Sequence, residues 1–286
     1  MSRYVYVNGA YLKKGAAQMP IEDRGLLFGD AVYEVIHFSH DFFVDAAAHF
    51  ERLDRSLGEL SIEKPYASHA SLLHKIRYLK RCNQIDEGFV YMQISRGIAP
   101  RNHLFPDDPK PSFFMLMKHH PLSPFVSKKI RTERDGRWHR CDIKTTNLLP
   151  NVLAKQSAFE KGLFDTWGVT DDGMVTEGAL SNAWIVKKGA LYTAPKTCNI
   201  LGGITRMRLI KLATEMKISV AEKSFSCDDL YQADEAFSSS SNNVVVPITH
   251  ADNKKIGTGK PGPISEKLYA AYLAFVEKGV CLARNS

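Results

Sequence analysis

Four stretches of this chain carry residue types that could do chemistry together. The first holds a lysine. Lys155 lies in the run from Thr145 to Ala158, TTNLLPNVLAKQSA, where Val152, Lys155 and Phe159 fall at i, i+3 and i+7. A helix would set this amine on an apolar stripe. Burying an ammonium is costly, and a desolvated lysine answers by favouring its neutral form. A partly neutral amine is a nucleophile that can hold a carbonyl as a Schiff base. A lone lysine more often snorkels its head to water, so its company along the chain decides between the two.

That company is an acid and two polar turns. Glu177, in VTEGALSN ending at Asn182, is a lone acid at the end of an expected strand. Gly202-Gly203-Ile204-Thr205 is a glycine turn running into a helix start. Ser238 to Asn243, SSSSNN, is a hydroxyl-rich turn between two expected strands. Helix N-termini offer unpaired N–H groups and the positive end of the dipole. Turn amides and hydroxyls add donors, so both turns suit a phosphate. Each also has a plain reading, as a mere turn or a solvated loop.

The elements that must position these residues follow from periodicity and turn signals. The chain has 286 residues, 44% hydrophobic and 24% charged, which suits a globular protein of two domains. Tyr4 to Leu12, with Asn8-Gly9 at its centre, reads as a hairpin. Helices are expected near 47–62, where Phe50, Leu53, Leu57 and Leu60 share a stripe, and near 69–82. Strands follow near 88–96 and 112–118. The proline-marked stretch after His119 separates an expected N-terminal domain, 1–120, through a linker, 121–127, from a C-terminal domain, 128–286. Beyond it, strands are expected near 128–133, 141–146, 174–177, 182–187, 190–194, 218–223, 234–239 and 244–249. Helices are expected around Lys155, after Gly203, and over 262–278. Hairpin-like strand runs mixed with separate helices read as α+β.

Composition also excludes classes. Five scattered cysteines form no CxxC pair, so neither a metal site nor a disulfide framework is expected, and a cytoplasmic setting fits. No segment reaches the roughly 20 apolar residues of a membrane helix. The net charge is +7, but the basic stretch from Lys128 to Arg140 is interrupted by Glu133 and Asp135 and holds one aromatic residue, Trp138. It reads as a solvated face rather than a nucleic-acid surface.

Nearly the whole chain, from Tyr4 to about Val276, resembles the fold-type-IV pyridoxal-phosphate enzymes, and within them the D-amino acid transaminases. The resemblance is carried by EDRGLLFGDAVYE from Glu22, HFERL from His49, SRGIAPRNH from Ser95, RCDIK from Arg140, the Lys155 and Glu177 runs, and LGGITR from Leu201. It implies a two-domain α+β fold with pyridoxal 5'-phosphate between the domains, and a homodimer. It implies that Lys155 carries the cofactor aldehyde and that Glu177 faces the pyridine nitrogen, where a carboxylate keeps that nitrogen protonated. Arg52, Ile204, Thr205, Ser241 and Ser240 match phosphate ligands, and Leu201 the residue packed on the ring. Arg101 and His103, with Tyr33, match the group that holds the substrate α-carboxylate, a task that suits a planar guanidinium.

The implied activity is amino transfer from a D-amino acid such as D-alanine to a 2-oxo acid such as 2-oxoglutarate, with ping-pong kinetics. The alternatives within the fold are 4-amino-4-deoxychorismate lyase and L-branched-chain or (R)-amine transaminase. Pro150, Asn151, Ala179 and Leu180 depart from the family pattern and could retune substrate range without removing the chemistry.

Overall fold

The computed structural model describes residues 3–284 and divides into two compact units. The first comprises residues up to Pro121, Ile143–Asn147 and Lys278 onward; the second comprises Leu122–Asp142 and Leu148–Glu277. This differs from the expected domains in three places, the first being the expected linker 121–127, of which Pro121 falls in the first unit and the rest in the second. Segment 143–147 belongs with the first unit because Thr145 bridges Val32 and the Lys144 carbonyl accepts the Tyr33 amide. The end of the chain joins it where Gly279 lies against the Phe42 ring, leaving no room for a side chain.

The first unit contains β1 (Tyr4–Val7), β2 (Ala10–Lys13), α1 (Arg24–Phe28), β3 (Ala31–Ser39), β4 (Phe42–Phe43), α2 (Ala46–Glu59), α3 (His69–Asn83), β5 (Glu87–Ser95) and β6 (Ser112–His119). The strands form one antiparallel sheet in the order β2-β1-β6-β5-β3-β4. Asn8 and Gly9 both take positive φ at the tip of the first hairpin, as a two-residue turn with right-handed strand twist demands. α2 buries Phe50, Leu53 and Leu57 of the expected stripe, together with His49 and Ser56, against the face of β3 that carries Val32, Ile36 and Phe38, while Leu60 falls at the C-cap and is partly buried. Ser68 caps α3 by accepting from the Ser71 amide, and Leu72, Ile76 and Leu79 complete the core.

The second unit contains β7 (Lys128–Arg134), α4 (Leu149–Glu160), β8 (Asp165–Val169), β9 (Val175–Gly178), β10 (Asn182–Lys187), β11 (Ala190–Thr193), α5 (Ile204–Glu215), β12 (Val220–Glu222), α6 (Cys227–Tyr231), β13 (Glu235–Ser239), β14 (Val246–Ala251), β15 (Lys254–Lys255) and, as far as Glu277, α7 (Pro263–Arg284). The sheet runs β12-β11-β10-β13-β14-β7-β8-β9, and β9 pairs back onto β10 through Glu177 and Asn182. Strands β10, β13, β14, β7, β8 and β9 therefore close into a ring, filled by Ile130, Trp167, Val175, Ile185, Phe225 and Ile248.

Residues 141–146 do not form the expected strand. They are irregular apart from the bridge at Thr145. α7 continues past 278 to Arg284. Among the described residues no helix is long and apolar enough to cross a membrane, and no His, Cys, Asp and Glu group is arranged to hold a metal ion.

Candidate active site

The expected site residues fall into clusters, each built within one unit. In the second unit the organising residue is Asn182. Its backbone pairs with Glu177 across one ring edge and with Ser239 across the other. Its side-chain amide donates to Glu177 Oε2 at 3.0 Å and to the Leu201 carbonyl at 2.9 Å. A Cβ on Gly203 would overlap its Oδ1, so the second glycine of the turn is sterically required. Asn182 thus ties together Glu177, Leu201, the approach to α5 and the strand leading to Ser240 and Ser241.

Glu177 is buried, and burial raises its carboxyl; Arg137 acts in the opposite direction. The carboxylate accepts from Arg137 Nη1, from Asn182 and from the Leu201 amide at 3.0 Å. Arg137 is shared: Asp135 grips it at Nε (2.9 Å) and Nη2 (2.6 Å), and Nη2 also reaches the Thr176 hydroxyl and the Asn199 carbonyl. This fixes the Glu177 carboxylate to within one set of rotamers.

The two polar turns are distinguishable at residue level. No side chain caps the N-terminus of α5, where Ile204 and Thr205 are both buried. An uncapped N-terminus approached by Gly202-Gly203 fits a phosphate dianion. In the serine run, Ser238 and Ser239 are consumed by the core, accepting from the Trp167 and Trp184 indoles at 3.1 and 2.8 Å. Ser240 and Ser241 follow the end of β13, and Ser240 Oγ accepts from the Asn243 amide at 3.4 Å. The solvated-loop reading of this run is therefore wrong for its first half.

Lys155 does not have the surroundings its spacing suggested. Val152 and Phe159 are 58% and 73% exposed, so no apolar stripe buries the amine. α4 instead packs through Asn151, whose amide donates to the Ala179 carbonyl, and Ala158. The Lys155 side chain keeps about a third of its surface exposed, and its amine lies 3.7 Å from Asp165 Oδ1. It also donates to the Phe164 carbonyl and stands 4.2 Å from the Phe164 ring centre. Asp165 in turn lies against Gly178 and Ser181. Successive strand residues face opposite sides, so Lys155 is tied to the face of β9 away from Glu177. Asn151 acts as a structural link here, and Leu180 is exposed.

In the first unit, Tyr33 and Glu34 are consecutive on β3 and point to opposite faces. Glu34 is fully buried and takes Arg52 in a two-point grip, Nε at 2.6 Å and Nη2 at 2.8 Å, with His49 Nδ1 at 2.7 Å. Burial alone would raise this carboxyl, but Arg52 and then His49 outweigh it and hold it well below the usual carboxylate range. Arg52, off the stripe of α2, is thus a largely buried arginine with a fixed plane rather than a surface one.

On the other face, Tyr33 stacks on Tyr91 at 5.6 Å, and the Lys144 amine stands 4.1 Å from the Tyr33 ring centre. The Lys144 amide donates to Ser56 Oγ at 3.3 Å. Arg101 and His103 form a separate group on Phe28, 5.3 and 5.4 Å from its ring, and neither touches Tyr33.

Sequence reasoning assigned no role to Asn182, Arg137 or Lys144. Lys144 had a readable signal, as the last residue of RCDIK, but its placement in an irregular segment leaves no periodicity to read.

Comparison with known proteins places this architecture. A profile of the family described as amino-transferase class IV matches residues 31–251. A D-alanine aminotransferase of Bacillus licheniformis is 38% identical over 271 residues, 93% of this chain and 95% of that protein. One of Staphylococcus haemolyticus is 36% identical over 277 residues, 96% and 98% of the two chains. Among solved structures, the Escherichia coli branched-chain amino acid aminotransferase superposes with a TM-score of 0.91 at 24% identity, covering 96% of this chain and 95% of that one. The branched-chain amino acid aminotransferase of T.th., in complex with N-(5'-phosphopyridoxyl)-L-glutamate, gives 0.90 at 23% identity, covering 96% and 94%. With a positioned buried acid and an uncapped helix N-terminus that suit the family's cofactor, this chain belongs to the amino-transferase class IV family and is a pyridoxal-phosphate-dependent aminotransferase.

Proposed function

We propose that this protein is a D-amino acid transaminase, moving the amino group of a donor such as D-alanine to a 2-oxo acid such as 2-oxoglutarate. The observation that carries the reading is the identity of 38% and 36%, over nearly full length, to two D-alanine aminotransferases. The branched-chain enzymes share the fold at lower identity, and L-branched-chain activity is the competing outcome.

Bound pyridoxal phosphate supplies the electron-withdrawing ring that stabilises negative charge at the amino acid Cα. Glu177 is assigned to hold a proton at the ring nitrogen, its carboxylate kept in place by Arg137, Asn182 and the Leu201 amide. Ile204, Thr205, Ser240, Ser241 and Arg52 are assigned to the phosphate, and Leu201 to the ring. Tyr33, Arg101 and His103 are assigned to the substrate carboxylate.

The lysine assignment moves from Lys155 to Lys144. The amine that holds the carbonyl and shuttles the Cα proton must stand beside the groups that hold the substrate. Lys144 stands against Tyr33, whereas Lys155 is engaged by Phe164 and Asp165. Borohydride reduction of the holoenzyme followed by peptide mapping tests this directly. Label on Lys144 is expected; label on Lys155 would restore the first assignment.

The activity test is amino transfer from D-alanine to 2-oxoglutarate, beside L-leucine and (R)-1-phenylethylamine. D-alanine is expected to be the preferred donor, with parallel initial-rate lines; faster turnover of L-leucine would overturn the reading. A homodimer is proposed from the exposed apolar residues Leu149, Val152, Leu153 and Phe159 on α4, with sedimentation as its test. A cytoplasmic setting is proposed from the five unpaired cysteines.

A further inference from the structure

The loop that carries Arg101 and His103 is held from beneath by a buried charge cluster that the chemistry above does not use. Arg24, in the short helix α1, is buried, and its side chain donates from Nη1 to the carbonyls of Asn102 (2.6 Å) and Leu104 (3.2 Å). These two carbonyls flank His103. The Arg24 Nε donates to Asp30 Oδ2 at 2.9 Å. The same Asp30 carboxylate accepts from Arg96 Nε (2.7 Å) and Nη2 (3.0 Å). Arg96 also donates to the carbonyls of Ser61 and Leu60, and its guanidinium lies 3.5 Å from the centre of the Phe105 ring. Two buried guanidiniums thus share one carboxylate.

The cluster is itself pinned. Asp23 caps α1, accepting from the Gly25 amide at 2.8 Å and the Ser95 hydroxyl at 2.8 Å. The Arg24 amide donates to the Gly97 carbonyl at 2.9 Å. At the end of the same helix, the Phe28 ring stands 4.7 Å from the Arg24 guanidinium, 5.3 Å from that of Arg101 and 5.4 Å from the His103 ring. One short helix therefore grips the loop backbone with its first residue and seats both functional side chains with its last.

We propose that Arg24 is a positioning residue for substrate carboxylate recognition: through the carbonyls of Asn102 and Leu104 it fixes the loop in the one conformation that presents Arg101 and His103 on Phe28. The proposal rests on the assignment of Arg101 and His103 to the carboxylate. A lysine at this position keeps the charge beside Asp30 but lacks the planar fork that reaches the aspartate and two carbonyls together. Loosening the loop then weakens binding of the carboxylate while leaving proton transfer at Cα in place.

The test compares the wild-type holoenzyme with Arg24→Lys, Phe28→Leu and Arg101→Ala. For each, KM and kcat for D-alanine are measured with 2-oxoglutarate, together with amide hydrogen exchange of residues 101–105. Arg24→Lys is expected to raise KM for D-alanine by about tenfold or more, keep kcat within about threefold, and speed exchange of the loop while β3 and β5 stay protected. Phe28→Leu, which leaves the Arg24 hydrogen bonds untouched, is expected to give the same KM-directed defect. It serves as the second probe if Arg24→Lys does not fold.

A rise in KM for Arg101→Ala with wild-type KM and loop exchange in folded Arg24→Lys overturns the proposal alone. Wild-type KM in Phe28→Leu overturns it likewise. Unchanged KM in Arg101→Ala overturns the carboxylate assignment, and the proposal with it.

Discussion

Two lysines eleven positions apart have opposite surroundings. Lys155 projects from a regular helix, with a carboxylate and a carbonyl as partners and a third of its side chain in water. Lys144 sits in an irregular segment laid along β3, its amine over the face of an aromatic ring. The carboxylate near Lys155, Asp165, is buried and has its carboxyl raised by that burial, with Lys155 pulling the other way. The carboxylate nearest Lys144 along β3, Glu34, lies on the opposite face and is already engaged by Arg52 and His49. An ammonium committed to a carboxylate is poorly placed to act as a nucleophile, whereas one resting on a π face has no anion to hold it. On the proposed assignment, the local partner rather than the helical stripe sets the two lysines apart.

The strongest way to break this comparison is to exchange the fates of the two lysines. Lys144→Ala is expected to lower kcat/KM for D-alanine by about 10³-fold or more, and to abolish covalent retention of pyridoxal phosphate by the protein after borohydride reduction and desalting. Retention of both would return the role to Lys155.

The second expected effect is on stability. Glu34→Ala leaves Arg52 and His49 buried without their shared anion, which should destabilise the protein by about 3–5 kcal/mol in urea unfolding. A loss below about 1 kcal/mol would show that the grip on Arg52 is dispensable.

The third concerns His37, on the same face of β3 as Tyr33. Both of its ring nitrogens are buried without a partner, and burial, reinforced by His120, pushes the imidazole down to about 4 from 6.5. The unfolded chain therefore binds this proton at a pH where the folded chain does not. The stability it permits is intact above pH 6.5 and is lost as pH falls towards 4, by up to about 1.4 kcal/mol per pH unit. His37→Leu should flatten the dependence of unfolding free energy on pH in that window. An unchanged slope would remove His37 from the account.

The smallest effect is expected at Lys155. Lys155→Ala should keep kcat/KM within about threefold and cost under about 1 kcal/mol, because the ion pair is partly exposed. A loss comparable with that of Lys144→Ala would erase the distinction between the two lysines.

Much of the scaffold was legible in the chain because its signals are local. The Asn8-Gly9 hairpin, the stripe of α2 and the glycine approach to α5 each depend on neighbours within a turn or two, and each formed within a few residues of where the pattern put it. Family resemblance reached further, to the class IV aminotransferases and to residues such as Glu177 whose surroundings fit a role. The expected strand over 141–146 failed because its pairing partner is the far edge of β3, more than a hundred residues earlier, and only Thr145 makes that bridge.

What the sequence by itself determined is the α+β class, the element spacing, the family and the set of polar residues available for chemistry. What only the tertiary structure decided is which partner each of them takes. Ser238 and Ser239 are taken by two indoles, Lys155 by Asp165 and Phe164, Arg52 by Glu34, and Arg24 by the backbone on either side of His103. Hydrogen-bond and ion-pair partners are chosen by distance in space, and a buried polar group must find one. Local periodicity carries no record of that choice, because the partner's position along the chain is arbitrary.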